Sequence, residues 1–131
     1  MSEPKLPRPT DAELAILQVL WERGPSTVRE VHEALNKGDA STGYTTVLKL
    51  MQIMTEKGLV ERDESQRAHV YRTRVSQQKT QRQLVTDLLN RAFGGSPARL
   101  AMQALSTKKA SAEELAELRQ LLDTLEEEEK P

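Results

Sequence analysis

The chain has 131 residues, of which 30% are charged and only 3% aromatic, and it contains no cysteine. This composition favours one or two small, mainly helical domains and excludes disulfides, thiol catalysis and cysteine-based metal sites. No apolar run approaches the roughly 20 residues of a membrane span, and the N-terminal MSEPKLPRPT lacks the apolar core of a signal peptide. We therefore expect a cytoplasmic protein with no direct membrane insertion.

The net charge of −1 conceals an uneven distribution of charge along the chain. Residues 1–75 carry eleven basic and eleven acidic side chains, residues 76–110 carry six and one, and residues 111–131 carry two and eight. Acidic residues are absent from 40 to 55 and again from 65 to 86. An acidic total therefore does not exclude a polyanionic partner such as nucleic acid.

Two capping boxes predict the first two helices. TDAE at 10–13 opens one helix, which ends at Gly24-Pro25, and TVRE at 27–30 opens another, which closes at Asn36-Lys37-Gly38. The apolar side chains of both recur at helical spacing, so each helix should bury one face. The expected core positions are Leu14, Leu17 and Trp21 in the first helix and Val28, Val31 and Leu35 in the second.

The stretch STGYTTVLKL at 41–50 predicts a third helix, from about Thr42 to Lys57. The face opposite its apolar residues carries Thr45, Thr46 and Lys49, without the mixture of Glu and Lys that is typical of a solvated helix. Adjacent β-branched threonines slightly lower helix propensity and bring no core packing, so this face is expected to touch a partner. The expected buried stripe consists of Tyr44, Val47, Leu48, Met51 and Met54.

After Gly58 the sequence predicts a β-hairpin. LVER and AHVYRTRV are rich in Val, Tyr and Thr and are separated by the polar turn DESQR, and we call this hairpin the wing (residues 59–75). Arg67, Arg72 and Arg74 lie in it, and we expect them to have no acid nearby. Such a group favours contact with a polyanion over a merely solvated surface.

Three more helices are predicted after the wing. Ser76 caps the fourth, Gly94-Gly95 ends it, and Ser96-Pro97 starts a fifth that runs to about Leu105. SAEE at 111–114 is a capping box for the sixth, whose leucines recur at 3-4-3 spacing and form an apolar seam. The EEEEK run at 126–130 is interpreted as a frayed, solvated end.

This order predicts a mainly α fold with a small β-hairpin wing: a winged helix-turn-helix DNA-binding domain over 1–75 and a helical dimerisation domain over 76–131. In a winged helix the third helix enters the major groove and the wing reaches along the backbone. Threonine suits base edges and thymine methyls, and lysine pairs with phosphate or guanine. The expected DNA-binding residues are Thr42, Gly43, Tyr44, Thr45, Thr46, Lys49, Arg67, Arg72 and Arg74.

The fourth helix and the apolar seam of the sixth could pack within one chain or against a second copy. DNA readers of this kind usually pair half-sites through a two-fold dimer, so we expect a homodimer. The expected dimer contacts are Leu84, Leu88, Leu115, Leu118, Leu122 and Leu125.

Other functions have weaker support in the sequence. His32 and His69 have no third ligand at metal-like spacing, so we expect no bound metal or other cofactor. No nucleophile stands beside a base, so we expect no enzymatic activity. Tyr44 and Tyr71 are better explained as packing residues with a wet hydroxyl than as base-stacking platforms. The rival function is a helical protein-interaction module, which the zero net charge of residues 1–75 favours.

The chain resembles the BlaI/MecI type of penicillinase repressors over nearly its whole length. The resemblance is carried by TDAELAILQVLWERGPSTVREVHEAL, GYTTVLKLMQIMTEKGLVER, RAHVYR, LLNRAFGGSPARLAMQAL and SAEELAELRQLL. It implies a homodimer that binds a palindromic DNA operator, with Thr45, Thr46 and Lys49 at positions that face DNA and Arg67 in the wing near phosphate. It also implies release by a membrane sensor-transducer with a metalloprotease domain, which responds to cell-wall antibiotics and leads to cleavage in the fifth helix.

The sequence departs from that family pattern at three points. Gln66 replaces the glycine that commonly precedes the wing arginine. Gln103-Ala104 replaces the Asn-Phe pair cut in the staphylococcal repressors, within an expected cleavage region of Met102, Gln103, Ala104 and Leu105. The cysteine motif of the copper-responsive relatives is missing, which argues against copper sensing.

Overall fold

A computed structural model describes residues 7–37 and 42–131, which form six helices and one three-stranded sheet. The mainly α fold with a small wing, predicted from the sequence, is confirmed. The elements are α1 (Asp11–Arg23), β1 (Ser26–Thr27), α2 (Val28–Leu35), α3 (Tyr44–Lys57), β2 (Val60–Asp63), β3 (Val70–Thr73), α4 (Gln77–Ala92), α5 (Pro97–Thr107) and α6 (Ala112–Glu129).

Both N-terminal capping boxes are formed. The hydroxyl of Thr10 accepts the Glu13 N–H at 3.2 Å, and the Glu13 carboxylate accepts the Thr10 N–H at 2.9 Å. Thr27 and Glu30 repeat the arrangement at the start of α2. Gly24 ends α1 with a positive φ of 85°, a conformation that favours glycine. Both helices therefore begin where local sequence predicted, and α1 ends at Gly24 and α2 at Asn36 as expected, while Gly38 lies outside the described residues.

The hydrophobic core lies between α1, α2, α3 and the sheet. Val47, Met51 and Met54 on α3 are fully buried, as predicted, and Leu48 packs against the core from a half-buried position. Tyr44 was wrongly assigned to the buried stripe, since 47% of it is exposed. The other buried apolar residues are Ile16, Leu17, Leu20, Val28, Val31, Leu59, Val60, Tyr71 and Val75.

The start of α3 also differs from the prediction. The helix begins at Tyr44 rather than at about Thr42, and Gly43 is its N-cap. Gly43 has an extended backbone, with φ −71° and ψ 153°. The end at Lys57 is as predicted, and Gly58 follows with a φ of 83°.

The wing hairpin is confirmed, and the sheet is larger than the hairpin. β2 and β3 pair antiparallel, with Glu61 opposite Arg72, and β3 also pairs with β1, so the order is β1-β3-β2. The sequence analysis missed β1. Its two residues follow Pro25 and Thr27 also caps α2, so no alternating pattern marked them as a strand.

An ion pair joins α1 to the end of α3. Glu13 on α1 is 2% exposed, and its carboxylate accepts from Nζ of Lys57 on α3 at 2.6 Å. Lys57 also donates to the carbonyl oxygen of Arg8 at 3.2 Å. Burial alone would raise the pKa of Glu13, but the hydrogen bonds from Lys57 and Thr10 outweigh it and lower that pKa. The first helix is thereby joined to the end of α3.

The first compact unit extends to Leu84, which lies within α4, and we call its described residues the head. The boundary proposed from sequence lay at 75/76. Trp21 packs against the core and donates its indole N–H to the carbonyl oxygen of Val75 at 3.1 Å, and Thr80 is only 3% exposed. The first turns of α4 therefore belong to the packing of the head.

The second compact unit spans Val85–Pro131, and we call it the tail. Ser96 caps α5, a capping box at Ser111 opens α6, and α6 continues to Glu129. The interpretation of 126–130 as frayed was thus wrong as far as Glu129, although these residues are exposed. None of the tail residues, all of which the structure describes, is buried. In the described parts of the chain, no helix has both the length and the apolar character needed to cross a membrane.

Candidate DNA-binding surface

In its N-terminal half, the surface opposite the buried stripe of α3 carries short polar side chains and one lysine. Thr45, Thr46 and Lys49 are all exposed, whereas Val47 and Met51 beside them are fully buried. The first turn of α3 contains no acid. The core thus fixes the helix axis while the surface predicted to face DNA remains open.

The N-terminus of α3 adds hydrogen-bond donors to this surface. Gly43 provides no side-chain cap, although its carbonyl oxygen accepts the Val47 N–H at 3.1 Å. The first amides of an α-helix have no partner within the helix, and the macrodipole makes this end partially positive. Phosphate oxygens fit such an end well.

The arginines of the wing differ in their partners. Arg72 donates from Nε to Glu61 at 2.5 Å across the hairpin, and Arg74 lies 4.0 Å from the same carboxylate. The interpretation that these two arginines have no nearby acid was therefore wrong. Residues 65–86 contain no acid, but the pairing of β2 with β3 places Glu61 opposite Arg72.

Arg67 has no such neighbour: among the described residues it takes part in no ion pair. It lies at the wing tip, where the chain turns between β2 and β3, and it is exposed. Arg62, in contrast, is paired with Glu64 and hydrogen-bonded to Tyr71, which raises the pKa of its guanidinium further. Arg67 is thus the wing arginine whose charge is most available to an external anion.

A cleft of about 250 Å³ lies between the starts of α2 and α3 and the wing. Arg29, Tyr44, Arg67 and His69 contribute polar groups to it, and none of the residues that line it is acidic. Arg29 is 3.4 Å from Glu33, so its charge is partly balanced, while its side chain remains 82% exposed. Val28, Leu48 and Tyr71 provide apolar lining. The cleft is continuous, through Tyr44, with the exposed surface of α3.

The tyrosines and histidines take separate positions. Tyr71 is 1% exposed, which confirms it as a packing residue, whereas Tyr44 is half exposed and lies edge-on to His32, with ring centroids 5.7 Å apart. His32 is half-buried and His69 is exposed. Within residues 7–37 and 42–131, no group of three potential metal ligands comes together.

Sequence analysis missed the side chain that connects α2 to α3. The Nδ2 of Asn36 donates to the carbonyl oxygens of His32 at 2.8 Å and Thr42 at 3.0 Å, and its Oδ1 accepts the Thr42 N–H at 3.0 Å. Asparagine at a helix end does suggest local side-chain to backbone bonding. A backbone partner six residues further along the chain gives no such signal.

The residues predicted for dimerisation and cleavage lie on the exposed helices of the tail, except Leu84, which is half-buried at the end of the head. Leu88, Leu115, Leu118, Leu122 and Leu125 are 36–58% exposed. Leu121, which the seam did not include, is 52% exposed. Met102, Gln103, Ala104 and Leu105 are exposed residues of α5, of which Met102 is 60% exposed.

Comparison with known proteins identifies the family. The family model described as penicillinase repressor matches residues 9–124. The transcriptional regulator BlaI of Mycobacterium tuberculosis is 36% identical over 123 residues, which are 93% of this chain and 88% of that protein. The penicillinase repressor of Bacillus licheniformis is 26% identical over 119 residues, which are 91% and 92% of the two chains.

Solved structures support the fold. The DNA-binding domain of the repressor BlaI, 24% identical, matches 57% of this chain and 90% of its own length with a TM-score of 0.50. A MarR family protein from Bacillus stearothermophilus, 22% identical, matches 92% of this chain and 74% of its own with a TM-score of 0.50. With the family model covering most of the sequence, the chain belongs to the penicillinase repressor family.

Proposed function

We propose that this protein is a transcriptional repressor that binds a palindromic DNA operator sequence-specifically as a homodimer. The observation that carries the proposal is the exposed surface of α3 from Thr45 to Lys49, which contains no acid and lies opposite a fully buried stripe. The names of the relatives, a transcriptional regulator and a penicillinase repressor, support the same function.

Base reading would come from α3 in the major groove. Hydroxyls of Thr45 and Thr46 can bond base edges, their methyls can contact thymine, and Lys49 can reach guanine or phosphate. Gly43 fits close approach of the backbone, because a Cβ there would meet no atom within 4 Å and nothing in the described head demands glycine. Contacts of this kind are typically worth about 1–3 kcal/mol of discrimination each.

Phosphate contacts would orient α3 without reading sequence. Arg67 is exposed and unpaired among the described residues, and it borders the cleft that the starts of α2 and α3 also line. We assign it the stronger wing contact to the DNA backbone. Arg72 and Arg74 contribute less, because Glu61 already balances part of their charge.

The tail would form the dimer. None of its residues is buried, and Leu88 on α4 and the leucines of α6 are exposed, so the tail presents an apolar surface that a partner could cover. A second copy of the same chain is the occupant that the function requires, since a palindromic operator presents two equivalent half-sites to two-fold related heads. The proposed contacts are the six leucines named from the sequence.

Release from DNA would follow from cutting α5. Its last turn is weakened because the hydroxyls of Ser106 and Thr107 bond to the carbonyl oxygens of Met102 and Gln103, at 2.8 Å and 2.7 Å. Residues 102–105 are exposed on a helix without buried side chains, so local opening exposes little apolar surface. A cut there separates α6 from α4 and uncouples the two half-site contacts.

The proposed signal for this cut is a membrane sensor-transducer with a metalloprotease domain that responds to cell-wall antibiotics. The similarity to a penicillinase repressor supports this pathway. Gln103-Ala104 in place of Asn-Phe means that the protease must accept a different pair in this chain. Intact mass of the repressor before and after antibiotic exposure of the cells tests it: a new fragment ending within 102–105 supports the pathway.

Selection of duplexes from a random pool tests the proposed function as a whole. We expect the protein to enrich one palindromic sequence and to bind it about 10³-fold or more tightly than random duplex, with a complex mass of two chains per duplex. Absence of enrichment, together with no retention on heparin at low salt, would instead favour the protein-interaction module.

A further inference from the structure

Asn36, the first residue after α2, bonds three backbone groups at once. Its Nδ2 donates to the carbonyl oxygens of His32 and Thr42, and its Oδ1 accepts the N–H of Thr42, all within 3.0 Å. Two carbonyls around one atom and an N–H beside the other fix the orientation of the amide. Both backbone polar groups of Thr42 are therefore held by one side chain.

These bonds are placed where α3 lacks other support. Gly43 provides no side-chain cap, and the first turn is exposed from Gly43 to Thr46. The buried residues Val47, Met51 and Met54 fix the body of the helix but begin only in its second turn. The position of the first turn therefore depends on what holds the chain immediately before it.

A second contact connects the same two helix ends. The rings of His32 and Tyr44 meet edge to face, with centroids 5.7 Å apart and an interplanar angle of 78°. Such a pair adds a directional contact. It cannot replace the amide, because it touches neither backbone group of Thr42.

We propose that Asn36 is a positioning residue that presets the DNA-reading turn of α3, an inference that rests on the proposed function. Without its bonds the chain at Thr42 and Gly43 samples other conformations, and Thr45 and Thr46 must be ordered during binding. Because base reading requires fixed geometry, the entropic cost of ordering this turn lowers the affinity for the operator. Random duplex, held by charge, tolerates the change.

The test compares Asn36→Ala with Thr10→Ala in the full chain, on the selected operator and on random duplex. Both variants lose side-chain to backbone bonds in the head, but Thr10 caps α1. We expect Asn36→Ala to lower operator affinity about tenfold and random-duplex affinity less than about twofold. Thr10→Ala should leave the ratio of the two affinities unchanged. An unchanged ratio of operator to random-duplex affinity in Asn36→Ala would overturn the proposal.

Amide hydrogen exchange of the free protein gives a readout that needs no operator. In Asn36→Ala the Thr42 amide should exchange faster, while those of Met51 and Met54 keep their protection. Asn36→Asp keeps an acceptor for the Thr42 N–H but sets a carboxylate oxygen against the carbonyl oxygens of His32 and Thr42, so protection at Thr42 should fall there as well. An unchanged Thr42 amide in Asn36→Ala would refute the clamp even if DNA binding stands, whereas a wild type without operator preference would refute the proposed function instead.

Discussion

The head and the tail contain the same kind of amphipathic helix but bury it to very different degrees. Leu17 on α1 is 0% exposed, whereas Leu122 on α6 is 58% exposed. Both lie in helices that a capping box opens. Helical spacing of apolar residues therefore identifies an apolar helix face. Only the fold shows whether the same chain packs against that face.

The head and the tail differ in which contacts can stabilise them. The head has a core of aliphatic residues, Met51, Met54 and Tyr71 around a buried ion pair, so it can fold without a partner. The tail has no buried residue, and the proposed dimer is what would bury its leucines. In the proposed function, DNA reading and dimer linkage therefore depend on different parts of the chain.

Removing the tail should have the largest effect. A fragment ending at Leu84 keeps Val75 and Thr80 in the packing of the head, so we expect a cooperative thermal transition and a monomeric mass. Its operator affinity should fall about 10²-fold or more, because the two half-site contacts are no longer linked. Sedimentation and fluorescence anisotropy measure both quantities. A fragment that is dimeric with full affinity would show that the tail is not the linker.

A charge in the tail seam should separate the chains without removing residues. Leu122→Glu places a carboxylate in the proposed apolar contact, and we expect the dimer dissociation constant to rise about tenfold or more. Gln120→Glu is the matched control, because it adds the same charge to α6 on the side away from Leu118 and Leu122. Sedimentation equilibrium distinguishes them, and equal effects of the two variants would place the contact elsewhere.

The ion pair should control the stability of the head alone. Glu13→Gln leaves Lys57 without its carboxylate, and we expect a loss of about 2 kcal/mol in the free energy of unfolding, less than for a fully buried pair because Lys57 is a third exposed. Glu22→Gln, an exposed acid on the same helix, should change it by less than about 0.5 kcal/mol. Urea unfolding of the 1–84 fragment isolates this effect.

The same pair predicts the pH dependence of the head. Because the folded pKa of Glu13 is lowered, its contribution is fully present above the unfolded value of about 4.3 and is lost as the pH falls through the folded pKa. Wild type should therefore lose stability in acid more steeply than Glu13→Gln. Parallel curves for the two proteins would contradict the role of this carboxylate.

The wing arginines should show a smaller, sequence-independent difference. Arg67→Ala should weaken operator and random duplex alike and reduce the slope of log affinity against log salt by about 1. Arg72→Ala should change that slope less, since Glu61 pairs with it at 2.5 Å. A larger slope change for Arg72→Ala would mean that Glu61 releases it on binding.

Elements with local signals were predictable from the sequence. The three capping boxes, Gly58 after α3 and the Val, Tyr and Thr content of the wing all act over a few residues, and each marked its element correctly. The exposed threonines of α3 followed from the position of the buried stripe. Local chemistry thus located most of the head and its polar surface.

Contacts between distant residues were not predictable. Glu61 reaches Arg72 across a strand pair, Lys57 reaches Glu13 across the core, and no spacing along the chain announces either contact. Tyr44 looked apolar by position but lies at the first turn, before α3 reaches the core. These errors arise because sequence patterns describe one helix or strand, whereas partners are chosen by packing between them.

The central claim is that the surface of α3 reads DNA sequence while the tail only links two readers. Thr46→Ala in the full-length protein tests it most directly, with binding measured on the selected operator and on random duplex at one salt concentration. We expect operator affinity to fall by about 1–3 kcal/mol while random-duplex affinity and dimer mass stay unchanged. Thr45→Ala should behave in the same way. Equal losses on the two duplexes, or no loss on the operator in either variant, would contradict the claim.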